Sequence, residues 1–382
     1  MISEDLQELI QLIKRFRIEL VKPFVGREDE GLAITLALMT SEHIVLIGEP
    51  GTAKSALARR AADLLKARFF KYLLTRFTEP DELFGPLDIS ALKNGRYVRI
   101  TKGKLPEAEI AFLDEIFNAS SAILNTLLTL LNERVIYDGY NEIAVPLWAL
   151  VSASNSVPEE LEYQALYDRF LLRHFVKPVS EDRWMDLINA SWLIEKDGYR
   201  ACTPLLTIED LKTINSLLLS VDISNIKPLL IKLYAVLEDQ GIHLTDRRKG
   251  KILKVIAAHS FLNGRLTANE EDLSVLKYVA PRDRAEAEKI HIILIEELET
   301  RDKLLNELQD IVSNIREVKT LLGKLQDFDP KLLEYLRGFE RARNKINKIV
   351  ESTTDEDVKK KAIDTLSELN NIVDEIKRRL LI

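Results

Sequence analysis

The sequence is poor in cysteine and histidine. Its 382 residues include one cysteine, Cys202, and five histidines. A single cysteine excludes an intramolecular disulfide framework and a cysteine-based zinc site. The histidines are scattered without the spacing that metal ligands require, so we interpret them as structural. The low cysteine content agrees with a reducing compartment.

Long apolar runs and an excess of positive charge are also lacking. No apolar run reaches the roughly 18 residues that a membrane span needs, and the first residues, MISEDLQELIQLIKRF, carry acidic groups where a secretory signal would be basic. We therefore expect a cytoplasmic protein without a membrane span. The net charge of -7 gives no overall attraction to nucleic acid, which we do not expect as a partner. The local basic cluster consists of Arg96, Arg99, Lys102 and Lys104.

Short apolar strands alternate with helical patterns up to about residue 180. The predicted strands are 43–47, 69–74, 110–114, 147–154 and 173–179. This alternation predicts βαβ units, an α/β fold and a parallel five-stranded sheet. Asn94-Gly95 and Asp138-Gly139 each stand between apolar runs, so they predict two hairpin insertions.

The rest of the chain has helical patterns only. Residues 185–282 predict an all-helical domain behind an α/β domain at 1–184. Residues 283–382 contain few glycines and repeat apolar residues at spacings of three and four. They predict a long, coiled-coil-like antiparallel helical arm, with a compact helical bundle as the alternative. We expect Trp148, Trp184 and Trp192 to pack in the core or between domains.

The stretch IVLIGEPGTAKSALARR has the layout of a phosphate-binding loop. Glycine, lysine and serine follow a strand and open a helix at the consensus spacing, although alanine replaces the second glycine. The residues expected to contact the nucleotide are Gly48, Gly51, Thr52, Ala53, Lys54, Ser55 and Ala56. Lys54 would neutralise the phosphates, and the Ser55 hydroxyl would bind Mg²⁺. We expect Ala53 to be tolerated with helical backbone angles, since only a positive φ demands glycine.

A second element, EIAFLDE at 109–115, is an apolar strand that ends in two carboxylates. Ligands of open α/β sheets collect at the carboxyl ends of strands. Asp114 is therefore the candidate second Mg²⁺ ligand, and Glu115 is the candidate base that activates the attacking water. The two motifs together predict ATP and Mg²⁺ as cofactors.

The motifs GEPGTAKS, LPEAEIAFLDEIFNASSAILNTLLTLLNER, VSASN, LYDRF and TDRRKGK occur in one order over residues 22–282. In this respect the chain resembles the MoxR family of AAA+ ATPases, closest to its RavA-type branch. That branch commonly has alanine before the lysine. The resemblance implies an AAA+ core with a helical lid.

The resemblance also implies roles for single residues. Asn155 matches sensor 1, which helps to position the attacking water. Arg169 matches the arginine finger, with Arg173 as the alternative, and Arg247 matches sensor 2, with Arg248 as the alternative. Gly26, in FVGRE, lies in the segment beside the adenine.

The function that the resemblance implies is an ATP-hydrolysing remodeller. Such a protein forms a homo-oligomer, expected to be a hexameric ring, and acts as a chaperone-like factor on partner proteins, including those with von Willebrand factor A domains. Two alternatives stay open. One is a nucleic-acid motor or loader, and the other is a nucleotide-dependent scaffold with little turnover.

Overall fold

The computed structural model describes residues 4–138, 141–197, 202–322, 329–352 and 356–380. The chain divides into two compact units, Met1–His291 and Ile292–Ile382. Among the described helices, none is both long enough and apolar enough to cross a membrane.

A five-stranded parallel sheet forms the centre of the first unit. In chain order the strands are β1 (Ile44–Ile47), β2 (Phe69–Leu73), β3 (Ile110–Asp114), β4 (Val135–Asp138), β5 (Asn141–Ala144), β6 (Ala149–Ser154) and β7 (Leu172–Phe175). The sheet has the order β2-β3-β6-β1-β7, and every neighbouring pair is parallel. All residues of β1 and β6 are buried, because helices cover both faces of such a sheet. The predicted parallel sheet is confirmed.

Sixteen helices can be named in the described part of the chain. They are α1 (Glu4–Val21), α2 (Glu28–Thr40), α3 (Lys54–Leu64), α4 (Pro80–Phe84), α5 (Ile89–Lys93), α6 (Ser121–Glu133), α7 (Leu161–Arg169), α8 (Trp184–Asp197), α9 (Ile208–Leu217), α10 (Lys227–Asp239), α11 (Asp246–Leu262), α12 (Leu276–Val279), α13 (Arg284–Leu294), α14 (Thr300–Leu322), α15 (Pro330–Ser352) and α16 (Glu356–Leu380). Helices α9 to α12 follow the sheet in the chain, and α9 begins at a capping box in which Thr207 and Asp210 bond each other's backbone N–H groups.

The prediction of a hairpin at Asn94-Gly95 is wrong. Residues Ile89–Lys93 form α5, because the Asp88 carboxylate accepts hydrogen bonds from the backbone N–H groups of Ser90 and Ala91. Asn94 and Gly95 end this helix, with Gly95 at φ +71°. Only one isolated antiparallel bridge, between Leu87 and Arg99, joins the flanks among the described residues. An Asn-Gly pair that can turn a hairpin can also end a helix.

The second hairpin prediction is confirmed. β4 and β5 pair antiparallel from Val135↔Ala144 to Asp138↔Asn141. The Gly139 turn position itself lies outside the described residues.

The second unit is a three-helix bundle rather than the predicted arm. A shared apolar core joins α14, α15 and α16; it includes Leu308, Ile315, Leu322, Leu332, Phe339, Ile346, Val358, Leu369 and Ile376. Glu307 and Lys345 pair at 3.3 Å, which makes α14 and α15 antiparallel. The Arg379 guanidinium donates to the Leu322 carbonyl at 2.7 Å, so α16 runs parallel to α14. The expected arm needed α15 and α16 to return end to end along α14, whereas each of them buries an apolar stripe against the other.

Candidate nucleotide site

Three neighbouring strands end at one edge of the sheet, beside a cleft of about 490 Å³. β1 leads into Gly48, β3 ends at Asp114, and β6 leads into Asn155. Predicted site residues that line the cleft are Gly51, Thr52, Ala53, Lys54, Ser55, Ala56, Asp114, Glu115 and Asn155. The structure thus brings the phosphate loop, the two carboxylates and the sensor 1 candidate together.

The loop depends on glycine where it passes β7. A Cβ atom on Gly48 would lie 2.7 Å from the Val176 carbonyl oxygen, closer than real Cβ contacts allow. The Gly48 N–H donates to the Ser154 carbonyl at 3.0 Å, which ties the loop to β6. Gly51 has φ +80° with open space beside it, so its role is conformational rather than steric. These two glycines let the chain turn from β1 into α3.

Ala53 does not have the helical backbone angles that we expected. Its φ is +63° and its ψ is 13°, in the left-handed region, directly before α3 begins at Lys54. The backbone at this position therefore favours the consensus glycine in this loop as well. An alanine in this region costs about 1 to 2 kcal/mol. The loop of this chain is strained at the residue next to the phosphate-binding lysine.

Lys54 is folded onto its own loop. Its ammonium donates to the carbonyls of Gly48 at 2.7 Å and Glu49 at 2.8 Å, and its side chain is buried. Burial lowers the pKa of Lys54, while the charges of Asp114 and Glu115 act to raise it. A bound phosphate would replace the carbonyls as the partner of this ammonium and favour its charged form.

Glu115 and Asn155 form a polar pair in the cleft. The Asn155 side-chain amide donates to the Glu115 carboxylate at 2.5 Å. Glu115 itself has φ +52°, an unusual backbone for a residue other than glycine. Burial raises the pKa of Glu115, as does the nearby Asp114, and the Lys54 charge opposes them. A carboxylate of raised pKa that an amide orients is suited to accept a proton from water.

One candidate metal ligand, Ser55, contacts a cation. The Lys71 ammonium, from β2, donates to the Ser55 hydroxyl at 2.9 Å. Ser55 and Asp114 both line the cleft and offer the hard oxygen atoms that Mg²⁺ prefers. The contact from Lys71 indicates that a cation is accommodated beside Ser55, so the donor set fits a Mg²⁺ ion that would displace this lysine. Sequence analysis missed Lys71, because a strand lysine gives no local sign of the side chain that it meets.

The other end of the cleft has apolar walls. Its apolar lining includes Phe24 and Val25 of the entry segment and Leu187 and Ile194 of α8. Gly26 does not line the cleft itself; it stands between the lining residues Val25 and Arg27, with φ +69°. The buried Arg27 pairs with Glu30 and donates to the Lys177 carbonyl at 2.8 Å, which ties this entry segment to the chain that follows β7. Sequence analysis missed the contribution of α8.

The four arginine candidates lie away from the cleft. Arg169 ends α7, three residues before Leu172, and Leu172 pairs with Ile44 at the amino-terminal edge of the sheet. The guanidinium of Arg248 donates to the Phe170 and Leu171 carbonyls, so the start of α11 lies at the same edge. The phosphate loop occupies the opposite, carboxyl-terminal edge. Neither Arg169 nor Arg247 lines the cleft of its own chain.

The two alternative arginines have structural contacts. Arg173 is 3% exposed, stacks over the Tyr167 ring at 3.8 Å and bonds the Tyr167 carbonyl. Burial lowers its pKa to about 9. Arg248 is 4% exposed and bonds three carbonyls besides pairing with Asp168 at 3.3 Å. Arg247, in contrast, is exposed. The Arg169 Nε atom is buried without a hydrogen-bond partner in the described part of the chain.

Comparison with known proteins agrees with this architecture. Residues 11–216 match the family model of the MoxR domain in the MoxR-vWA-beta-propeller ternary systems, and residues 223–294 match the AAA lid domain. An uncharacterised protein of Methanocaldococcus jannaschii is 39% identical over 379 residues, covering 96% of each chain. Chaperone MoxR1 of Mycobacterium tuberculosis is 25% identical over 175 residues, 45% of this chain and 46% of that protein.

A solved structure has the same fold. It is a crystal structure of a candidate ATPase from Cytophaga hutchinsonii, with a TM-score of 0.63 and 19% identity, and the match covers 78% of this chain and 96% of that one. The MoxR family model covers more than half of the chain, and the lid model follows it directly. The chain therefore belongs to the MoxR family of AAA+ ATPases.

Proposed function

We propose that this protein hydrolyses ATP with Mg²⁺ and uses the energy to remodel partner proteins as a chaperone-like factor. The observation that carries the proposal is the pairing of Glu115 with Asn155 in the same cleft as Lys54 and Ser55. A binding-only scaffold needs the phosphate loop, but it has no use for an oriented carboxylate of raised pKa. We assign the protein to the cytoplasm and to the RavA-type branch as parts of the same proposal.

Each cleft residue has one task in this mechanism. The Lys54 ammonium leaves the loop carbonyls and neutralises the phosphates, and the loop N–H groups surround them. Ser55 and Asp114 would hold the Mg²⁺ ion, which would supply further charge neutralisation when bound. Glu115 accepts the proton of the attacking water, and Asn155 holds its carboxylate in place.

Among the described residues that line the cleft of one chain, no arginine is free to contact the transition state. Arg27 lines it, but this guanidinium is buried against Glu30 and the Lys177 carbonyl. Arg169 and Arg247 lie at the opposite edge of the sheet, so each would serve the cleft of a neighbouring subunit. We favour them over Arg173 and Arg248 for this role, because the guanidinium groups of Arg173 and Arg248 already donate to backbone carbonyls of their own chain. A head-to-tail homo-oligomer, which we propose to be a hexameric ring, provides this arrangement.

The partners that we propose are proteins with von Willebrand factor A domains. The support is the description of the matching family model, which names MoxR-vWA-beta-propeller systems. Nucleic acid gains no support from the basic cluster near α5, because Arg99 pairs with Asp81 and Lys104 donates to the Glu82 carbonyl.

The first test separates binding from turnover. We expect Lys54→Ala to lose ATP binding, because the phosphates lose their main cationic partner. Glu115→Gln should bind ATP with unchanged affinity but release phosphate very slowly, since only water activation is removed. Nucleotide binding and phosphate release are measured on both proteins. Equal loss of affinity in both would contradict the assigned roles.

The second test asks whether the site is shared between subunits. Arg169→Ala should bind ATP normally but hydrolyse it about 10³-fold more slowly, because an arginine finger stabilises charge in the transition state. Mixing Arg169→Ala with Lys54→Ala subunits should restore activity, since one supplies the intact loop and the other the intact arginine. Random mixing repairs about a quarter of the interfaces. Rings shown to be mixed but no more active than the average of the two mutants would exclude a finger that acts between subunits.

A further inference from the structure

The helix α8 presents an apolar face to solvent. Met185, Ile188 and Trp192, at spacings of three and four residues, are 68%, 63% and 68% exposed. Trp184 and Leu193 beside them are 51% and 55% exposed. The expectation that Trp184 and Trp192 pack in the core or between domains is wrong for the described chain. Trp148 alone is half-buried, and its indole N–H donates to the Leu38 carbonyl.

The chain itself holds α8 on one side only. No described side chain of this helix is buried; Ala190 and Ile194, which face the cleft, are half-buried. The Trp184 indole donates to the Val179 carbonyl at 3.1 Å, which anchors the first turn. A helix of 14 residues gains little stability in water without packing. Contiguous apolar surface of this kind marks an interaction site.

The position of α8 indicates what covers it. This helix forms a wall of the nucleotide cleft through Leu187 and Ile194, so its exposed face adjoins the mouth of that cleft. A neighbouring subunit that delivers Arg169 to the cleft must approach the same mouth. Acidic groups outnumber basic ones around α8, since Glu181, Asp182, Asp186 and Glu195 are exposed beside Lys196, and Arg183 pairs with Glu28. The opposite edge offers the exposed Arg247 and the half-buried Arg169. Apolar contact and opposite charge therefore both fit a second copy of this chain.

We propose that the Met185–Ile188–Trp192 face of α8 is the docking surface for the neighbouring copy of this chain in the nucleotide-bound oligomer. The inference rests on the proposed function, because it uses the need for an arginine from outside. It adds a specific residue set to the interface and links that interface to the nucleotide, since opposite sides of one helix contact the two.

The test compares two exposed isoleucines. Ile188→Asp places a charge on the α8 face, and Ile231→Asp makes the same change on α10, where Ile231 is 67% exposed and does not line the cleft. Both are made in the full chain carrying Glu115→Gln, so that bound ATP persists. Molar mass is measured by analytical ultracentrifugation with and without Mg-ATP, and binding of a fluorescent ATP analogue is measured in the same samples. Trp192→Gln serves as a second, uncharged variant.

We expect the parent and Ile231→Asp to assemble with ATP. Ile188→Asp and Trp192→Gln should stay monomeric, or assemble only at concentrations at least tenfold higher, while they bind the analogue as the parent does. Ile188→Asp that assembles like the parent would overturn the inference and leave the proposed function intact. A parent that stays monomeric with ATP bound would also overturn it. Loss of analogue binding by the parent itself would instead contradict the proposed function, and the inference would fall with it.

Discussion

Two residues of the cleft other than glycine have left-handed backbones, and each adjoins a group with a chemical task. Ala53 precedes Lys54, and Glu115 follows Asp114. Such conformations cost free energy and persist where the surroundings enforce them, which is common at active sites. At Glu115 the strain aims the carboxylate at Asn155. At Ala53 we find no side-chain contact that explains the left-handed backbone. The consensus glycine would adopt it without strain.

We expect Ala53→Gly to raise the free energy of unfolding of the nucleotide-free protein by about 0.5 to 1 kcal/mol. Relief of the left-handed strain exceeds the entropy that glycine adds to the unfolded chain. The matched control is Ala56→Gly, three residues on in α3, which should lower that free energy by about 1 kcal/mol because its backbone is helical. Chemical denaturation measures both. A destabilised Ala53→Gly protein would mean that Ala53 is not left-handed in solution.

At the scale of elements, the start of α11 joins the lid to the core through Arg248. Its guanidinium bonds the carbonyls of Phe170, Leu171 and Val279, which belong to the connection before β7 and to the end of α12. Its neighbour Arg247 points to solvent. Two adjacent arginines thus have separate tasks, one in holding the lid and one at the surface.

Substitution of Arg248 should therefore affect stability, whereas substitution of Arg247 should affect ATP hydrolysis. Arg248→Met should lower the free energy of unfolding by about 3 kcal/mol, because buried carbonyls lose their donor. Arg247→Ala should change it by no more than about 0.5 kcal/mol and should instead slow ATP hydrolysis. Thermal unfolding and phosphate release are measured on both proteins. A stable Arg248→Met protein with impaired hydrolysis would exchange the two roles.

The sequence predicted those elements whose signal is local. The phosphate loop, the strand that ends in Asp114 and Glu115, and the parallel sheet all follow from short patterns of residues. The helix α5 was missed because the capping carboxylate of Asp88 outweighed the turn signal of Asn94-Gly95. The three-helix bundle and the contact between Lys71 and Ser55 depend on which distant segments meet, and spacing along the chain does not specify that. The exposure of Trp192 could not be predicted for the same reason.

At the scale of the whole molecule, the two units have separate apolar cores. The core around the sheet draws on residues from Val45 to Phe170, and that of the bundle draws on residues from Leu308 to Ile376. The proposed catalytic machinery lies in the first unit only.

A chain that ends at Leu294, where α13 and the match to the lid domain end, should therefore fold and bind ATP as the full chain does. Remodelling of partners should decrease more than basal ATP turnover, because the shortened chain keeps every proposed catalytic residue and loses only the bundle. Binding of a fluorescent nucleotide and thermal unfolding are measured on the shortened and full chains. An insoluble product, or one that binds no nucleotide, would show that the bundle belongs to the catalytic fold.

Because the loop and Arg169 lie at opposite edges of one sheet, neighbouring subunits of the proposed oligomer would contact each other head to tail. In the proposed oligomer each subunit would contact the nucleotide of the next subunit through Arg169, and the next subunit would make no equivalent contact in return. The effect of hydrolysis in one subunit would then reach its neighbours in one direction only. Such a one-way contact would favour hydrolysis in a fixed rotational order, because the loop and the arginine lie at opposite ends of the parallel strands β1 and β7.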